Sequence, residues 1–243
     1  YNSSMIGSLL ADSVAMPVHW YYDTAALDRD YPELNGFESP RNPHPDSILW
    51  RSHYTPRNSQ GDILHDQAQY WGQRGVHYHQ FLAAGENTLN FKLAVELYQL
   101  VIKRGSYDAD VWLTHYATCM LKAGWHRDTY AEEYHRAFFD HYAQGKPLTA
   151  CGIDDLHIGG LSQLPSLLAA LNHIGQTDLE DQLCIAEHHL RLTHHNLHVV
   201  NAGKALCRIL FALSQGTGLR ESIETHSQAY CKRGQFDTWS NFS

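Results

Sequence analysis

Side chains able to do chemistry gather at three places along the chain. In Gly7-Ser-Leu-Leu-Ala-Asp12-Ser-Val-Ala-Met-Pro17-Val-His19-Trp20, an acid sits inside an apolar run. A buried carboxylate without a partner is costly, so Asp12 either bonds a neighbouring helix cap or hydroxyl, or lies beneath a site and orients it. The second place is His77-Tyr-His79-Gln-Phe-Leu-Ala-Ala-Gly85-Glu86-Asn87-Thr88, directly before a strongly apolar segment. Glu86, Asn87 and Thr88 stand where a helix cap and first turn belong, and oxygen-bearing side chains there satisfy free backbone amides. Three consecutive oxygen donors also make half of a site for a hard cation such as Mg²⁺. At the third place, Asp154-Asp155-Leu-His157-Ile-Gly159-Gly160, paired carboxylates and a histidine form an acid/base set, and two glycines let the backbone approach a ligand. The same residues also read as an ordinary acidic cap and turn.

The chain holds 18 histidines. His194 and His198 are spaced i,i+4, while Asp62-x-x-His65, Glu132-x-x-His135 and Asp154-x-x-His157 share the carboxylate–histidine spacing of di-metal sites in helical bundles. A histidine-ligated zinc or di-iron site is therefore one alternative. HExxH, GxSxG and P-loop motifs are absent from the sequence. Cysteines 119, 151, 184, 207 and 231 are isolated, odd in number and never CxxC, which predicts buried thiols in a reducing compartment.

Helices must position these groups. Apolar positions recur at helical spacing over 4–16, ended by Pro17, and after Asn87, where Gly105 follows as a stop. The pattern repeats over 109–123 (closed by Gly124), 129–143 (closed by Gly145), 161–174, 178–193 and 198–214. From Tyr21 to about Gly75, Pro32, Pro40, Pro43, Pro45 and Pro56 fall among Asn, Ser, Gly and Asp, predicting long loops with short helical pieces and a functional surface. No alternating pattern of useful length predicts a sheet, so the expected class is all-α, with loops gathered on a functional face.

Composition narrows the function. The 243 residues, 43% hydrophobic and 18% charged, are enough for a packed core and unlike a disordered chain. A net charge of -8 has the wrong sign for a general nucleic-acid binder, and no basic run offsets it. The sequence shows no signal-peptide pattern and no uninterrupted apolar stretch of membrane-spanning length, so a cytoplasmic protein without membrane partners is expected. The chain opens at Tyr1 without Met, which predicts a start removed, processed or left out.

Taken in order, GSLLADSVAMPVHWYYD at 7–23, DILHDQAQYWGQRGVHYHQFLAAGENT at 62–88, DDLHIGGLSQLPSLLAAL at 154–171 and LTHHNLHVVNAG at 192–203 resemble the ADP-ribosylglycohydrolase superfamily. Within it they look most like the branch containing the J1-crystallins and selenoprotein J. The resemblance implies a single-domain orthogonal helical bundle over 1–243, two Mg²⁺ ions, and hydrolysis of an N- or O-glycosidic bond in a free or protein-attached ADP-ribose-type ligand. By position, the family's Thr-Asp-Asp-Thr metal motif falls on Gly85-Glu86-Asn87-Thr88. Gly85 brings no hydroxyl and Asn87 brings an amide in place of a carboxylate, so divalent-ion affinity should fall.

The family's other acid pair, in a Gly-Gly-Asp-x-Asp-type motif, does not occur before Ser243; the expectation is that this end of the domain is missing or has been replaced. On this resemblance Glu86 is general base or metal ligand, Asn87 and Thr88 supporting ligands, and Asp12 a brace from the first helix. His77, His79 and His157 would replace lost metal charge or shuttle protons. Asp154, Asp155, Gly159 and Gly160 occupy the substrate-loop position, and Thr193-His194 matches the close of a later family helix. The alternative is a catalytically silent, J1-crystallin-like binding or structural protein.

Overall fold

The computed structural model describes residues 1–44 and 47–227; Pro45 and Cys231 lie outside the described residues. The fold is all-α. Nine α-helices are described: α1 (Asn2–Ala15), α2 (Thr24–Asp30), α3 (Leu89–Arg104), α4 (Ala109–Leu121), α5 (Glu133–Ala143), α6 (Leu164–His173), α7 (Leu179–Arg191), α8 (Leu197–Ser214) and α9 (Leu219–Ser227). The closest approach to a strand among the described residues is one isolated parallel bridge between Ile153 and His194.

The contacts gather in two compact units interleaved along the chain. One comprises Tyr1–Met5, Ala94–Trp112 and the chain from Gly152 onward; the other comprises Ile6–Leu93 and Leu113–Cys151. In the first unit α8 packs against α6, α7 and α9 around buried Leu164, Leu168, Leu190, Val200 and Leu210. A side chain at Gly203 would overlap Leu190, so the glycine lets α7 approach α8 closely. By length and composition α8 is apolar enough to cross a membrane, but it carries Lys204 and Arg208 and packs among these three helices as a core element.

In the second unit the core holds Met16, Ile63, Leu64, Leu93, Leu113, Tyr116, Met120, Phe138 and Phe139, each essentially inaccessible. Short 3₁₀ turns at Leu49–Arg51, Ser59–Gly61 and His65–Tyr70 punctuate the proline-rich region. Together with α2 they supply the short helical pieces expected there.

Two helices begin later than hydrophobic spacing suggests. Residues 129–132 continue the apolar pattern of α5, yet Thr129 is drawn into a loop, where its amide and hydroxyl donate to the Tyr78 carbonyl at 3.0 and 2.6 Å. Residues 158–163 form a 3₁₀ segment, and α6 starts only at Leu164, with Pro165 in its first turn. Gly105 closes α3 with φ 72, a left-handed turn that a side chain would strain.

Candidate functional site

The start of α3 is where the two N-terminal motifs meet, within the second unit. Asp12 and Ser13 are the buried residues of α1. From there Asp12 accepts from the Thr88 amide and the Thr88 hydroxyl, both at 2.8 Å, and from Asn87 Nδ2 at 3.1 Å. Asn87 Nδ2 also reaches the Leu9 carbonyl at 2.8 Å and Ser13 Oγ at 3.0 Å. Burial drives the Asp12 pKa upward, against the opposing pull of these Thr88 and Asn87 donors and of His79.

The next free amide of α3, that of Leu89, donates to Asp128 Oδ2 at 2.6 Å. Two carboxylates from distant parts of the chain therefore receive the N-terminal amides of one helix, the end that carries partial positive charge. Asp128 is held by its own loop. His126 Nε2 donates to the Ile63 carbonyl at 2.6 Å, Trp71 Nε1 donates to the Thr129 carbonyl at 2.6 Å, and Tyr130 stacks on Tyr78 with centroids 4.3 Å apart.

Behind Asp128 lies a row of histidines. Asp128 Oδ1 is 2.6 Å from His79 Nδ1, and His79 Nε2 is 3.1 Å from His19 Nδ1. His77 Nε2 donates to the His19 carbonyl at 2.7 Å, while its Nδ1 accepts the His79 amide at 2.9 Å. That bonding fixes His77 as the neutral Nε2–H tautomer. Burial, and then repulsion from His79, push the His77 pKa down to about 2; the same causes take His19 to about 4. Burial also works against a charge on His79, but the adjoining Asp128 carboxylate outweighs it and moves the His79 pKa upward. The row is one buried His79–Asp128 hydrogen-bonded pair, in which the carboxylate favours the charged form of His79, flanked by imidazoles that burial keeps neutral.

Glu86 faces away from that row. Its Oε2 accepts from Lys92 Nζ at 2.6 Å, its Oε1 accepts from the Ala83 amide at 3.0 Å, and Arg127 Nη2 bonds the same Oε1. Burial raises the Glu86 pKa, but Lys92, the Ala83 amide and Arg127 together bring it below the ordinary glutamate value. Gly85, at φ 85, turns the chain against the Phe37 ring just before it.

A hard divalent ion needs several oxygens free of competing cations. Here both Glu86 oxygens are bonded to cationic side chains, the Thr88 hydroxyl donates to Asp12, and the Asn87 amide nitrogen is turned to Asp12 and Ser13. In this arrangement the Glu86-Asn87-Thr88 donor set does not fit Mg²⁺.

Asp154, Asp155, His157, Gly159 and Gly160 belong to the other unit. Asp154 accepts from Asn196 Nδ2 at 2.7 Å, and Asp155 accepts the His157 amide at 2.8 Å. His157 Nδ1 takes the Gly159 amide at 2.9 Å, which engages the N–H a phosphate would use. The group close to Gly160 is the His194 ring: a Cβ there would lie 2.9 Å from His194 Cε1. The Ile153 amide bonds the Thr193 carbonyl at 3.2 Å, and the His195 amide bonds the Ile153 carbonyl at 2.7 Å, fixing this turn from both sides.

The spaced carboxylate–histidine pairs have local partners. Asp62 and His65 approach to 3.7 Å, with His65 Nε2 donating to the Met120 carbonyl at 3.1 Å. Glu132 and His135 approach to 3.6 Å, and His135 Nε2 bonds Asn90 Oδ1 at 2.8 Å. His194 precedes α8, whose cap is Asn196, so the His194/His198 spacing does not lie along one helix. Sequence reasoning missed Asp128, Lys92 and Arg127. Asp128 carries no spacing signal; Lys92, one turn beyond Thr88, was the legible clue that Glu86 has a cation within reach.

No family model matches the chain, and no curated protein matches its sequence.

Proposed function

We propose that this protein is a relative of the ADP-ribosylglycohydrolases that works without the Mg²⁺ centre, as a binding or structural protein. The observation that carries this reading is the double engagement of Glu86 by Lys92 and Arg127. A carboxylate bonded to two cations is a weak ligand for a third and, with its pKa lowered, a weak general base. The bonding of Asp12 to Asn87 and Thr88 supports the kinship, because it joins two of the motifs on which the resemblance rests. It also gives those motifs a task that needs no ion, namely holding the start of α3.

A second reading, hydrolysis of an ADP-ribose-type glycosidic bond, is favoured by the Asp128–His79–His19 chain at 2.6 and 3.1 Å. Such a chain can hold and pass a proton. Calorimetric titration of metal-stripped protein with ADP-ribose, with and without Mg²⁺, separates the two. The first reading expects no magnesium-dependent binding, and Glu86→Ala without effect on any binding seen. Magnesium-dependent binding abolished by Glu86→Ala would overturn it in favour of the hydrolase.

A further inference from the structure

Away from the α3 site, a cleft of about 280 Å³ opens beside α5, lined by His53, Tyr54, Arg57, Glu133, Arg136 and Asp140 among others. Its walls are fixed before any ligand arrives. Asn58 Nδ2 donates to the Ala143 carbonyl at 3.0 Å, and Tyr54 Oη accepts the Ile63 amide at 2.9 Å while donating to the Gly61 carbonyl at 3.2 Å. Gly61 lies so close to α5 that a Cβ would sit 3.2 Å from that of Ala143. The loop is seated on the helix by hydrogen bonds and by close packing.

The charges in the cleft are not all matched. Arg57 grips Asp140 through Nε and Nη2 at 3.1 and 3.4 Å, and that pair neutralises itself. Arg136, one turn earlier on α5, has no carboxylate partner among the described residues. Its guanidinium is oriented by the Trp71 ring (5.2 Å) and the Tyr130 ring (5.8 Å), and its Nε donates to the Ala131 carbonyl at 3.0 Å. Arg136 also hydrogen-bonds the Tyr130 hydroxyl, and the remaining N–H donors of its planar fork have the geometry that suits phosphate and carboxylate oxygens. His53 is exposed and supplies a second nitrogen to the cleft; Glu133, also exposed, supplies an acceptor-only group.

We propose that this cleft binds a small hydroxylated phosphate monoester: the phosphate on Arg136 and His53, a hydroxyl of the organic portion donating to Glu133. An oxyanion with three free oxygens can use donors arriving from two side chains at once. Glu133 opposes a bare anion but rewards a ligand that also brings a hydroxyl, and this gives the site its selectivity.

Titration of the full chain, followed by calorimetry and by histidine NMR signals, tests this with two probes, inorganic phosphate and glycerol 3-phosphate. Saturable binding of glycerol 3-phosphate, tighter than that of inorganic phosphate, is expected. Arg136→Gln should weaken both roughly tenfold or more, as for loss of a charged hydrogen-bonding fork. Glu133→Ala should move the probes in opposite directions, weakening glycerol 3-phosphate and strengthening inorganic phosphate. Because Arg136 also packs on aromatic rings, His53→Ala, at an exposed position, provides a variant without that packing role, expected to weaken both about threefold. Absence of saturable binding in the native protein, binding indifferent to both Arg136→Gln and His53→Ala, or a Glu133→Ala effect of the same sign on both probes would overturn the proposal.

Discussion

Two pairs of aspartates in the molecule have opposite fates, one assembled from distant parts of the chain and one adjacent in sequence. Around α3, Asp12 and Asp128 are 6% and 1% exposed and receive helix amides, a hydroxyl, an amide side chain and an imidazole. Around the 3₁₀ turn at 158–163, Asp154 and Asp155 bond one asparagine and one local amide, and the neighbouring Leu156 and Ile158 are 64% and 69% exposed. The difference shows that an acid acquires structural importance from burial and from the number of donors converging on it, not from the company of other acids. In the first region several donors converge on each carboxylate, so removing one carboxylate strands several groups at once.

The broadest effect expected is that of pH. His19 and His77 in the first region, at about 4 and 2, and His194 in the second, at about 4, stay neutral in the fold yet take up protons near pH 6.5 when unfolded. Each contributes stability that is present above pH 6.5 and is lost as pH falls through its folded value, at roughly 1.4 kcal/mol per pH unit. His79 works in the other direction, since its raised pKa favours the fold on the acid side. Urea unfolding midpoints should therefore fall steadily from pH 6.5 to 4.5. The His77 NMR signal should not titrate over that range before unfolding begins, and that of His19 should start to move only at its acid end.

Next in size, Asp128→Ala should cost about 3–5 kcal/mol, because it strands two buried donors, the His79 imidazole and the Leu89 amide. Asp12→Ala should cost about 2–3 kcal/mol through the loss of the Thr88 and Asn87 bonds, with Asp12→Asn recovering part of it. In the second region the sensitive position is a glycine. Gly160→Ala pushes a methyl against the His194 ring and should cost about 1–3 kcal/mol. Asp154→Ala should change stability by no more than about 0.5 kcal/mol. If Asp154→Ala proves as costly as Asp12→Ala by chemical denaturation, the contrast between the regions fails.

The residues around α3 also show how much was legible beforehand. Hydrophobic spacing placed α1, α3, α4, α7 and α8 to within a few residues, because an amphipathic stripe and a stop glycine are local facts. It gave α2 only as one of the short pieces expected within 21–75 and missed α9, which is short and dominated by polar residues. Asp12 was legible as an acid needing a partner. That Thr88 and Asn87 are that partner was beyond local reasoning, since they lie 76 and 75 positions further along the chain.

Composition and periodicity by themselves determined an all-helical chain, the approximate helix ends, the loop-rich character of 21–75 and the oxygen-bearing start of α3. Only the tertiary structure decided what those oxygens do. A carboxylate's role depends on which cations and amides lie within about 3 Å; for Asp12 and Asp128 these come from residues that folding alone brings near, and for Glu86 folding adds Arg127 to the local Lys92 and Ala83. Sequence fixes which donors exist; packing fixes which of them remain available to a ligand.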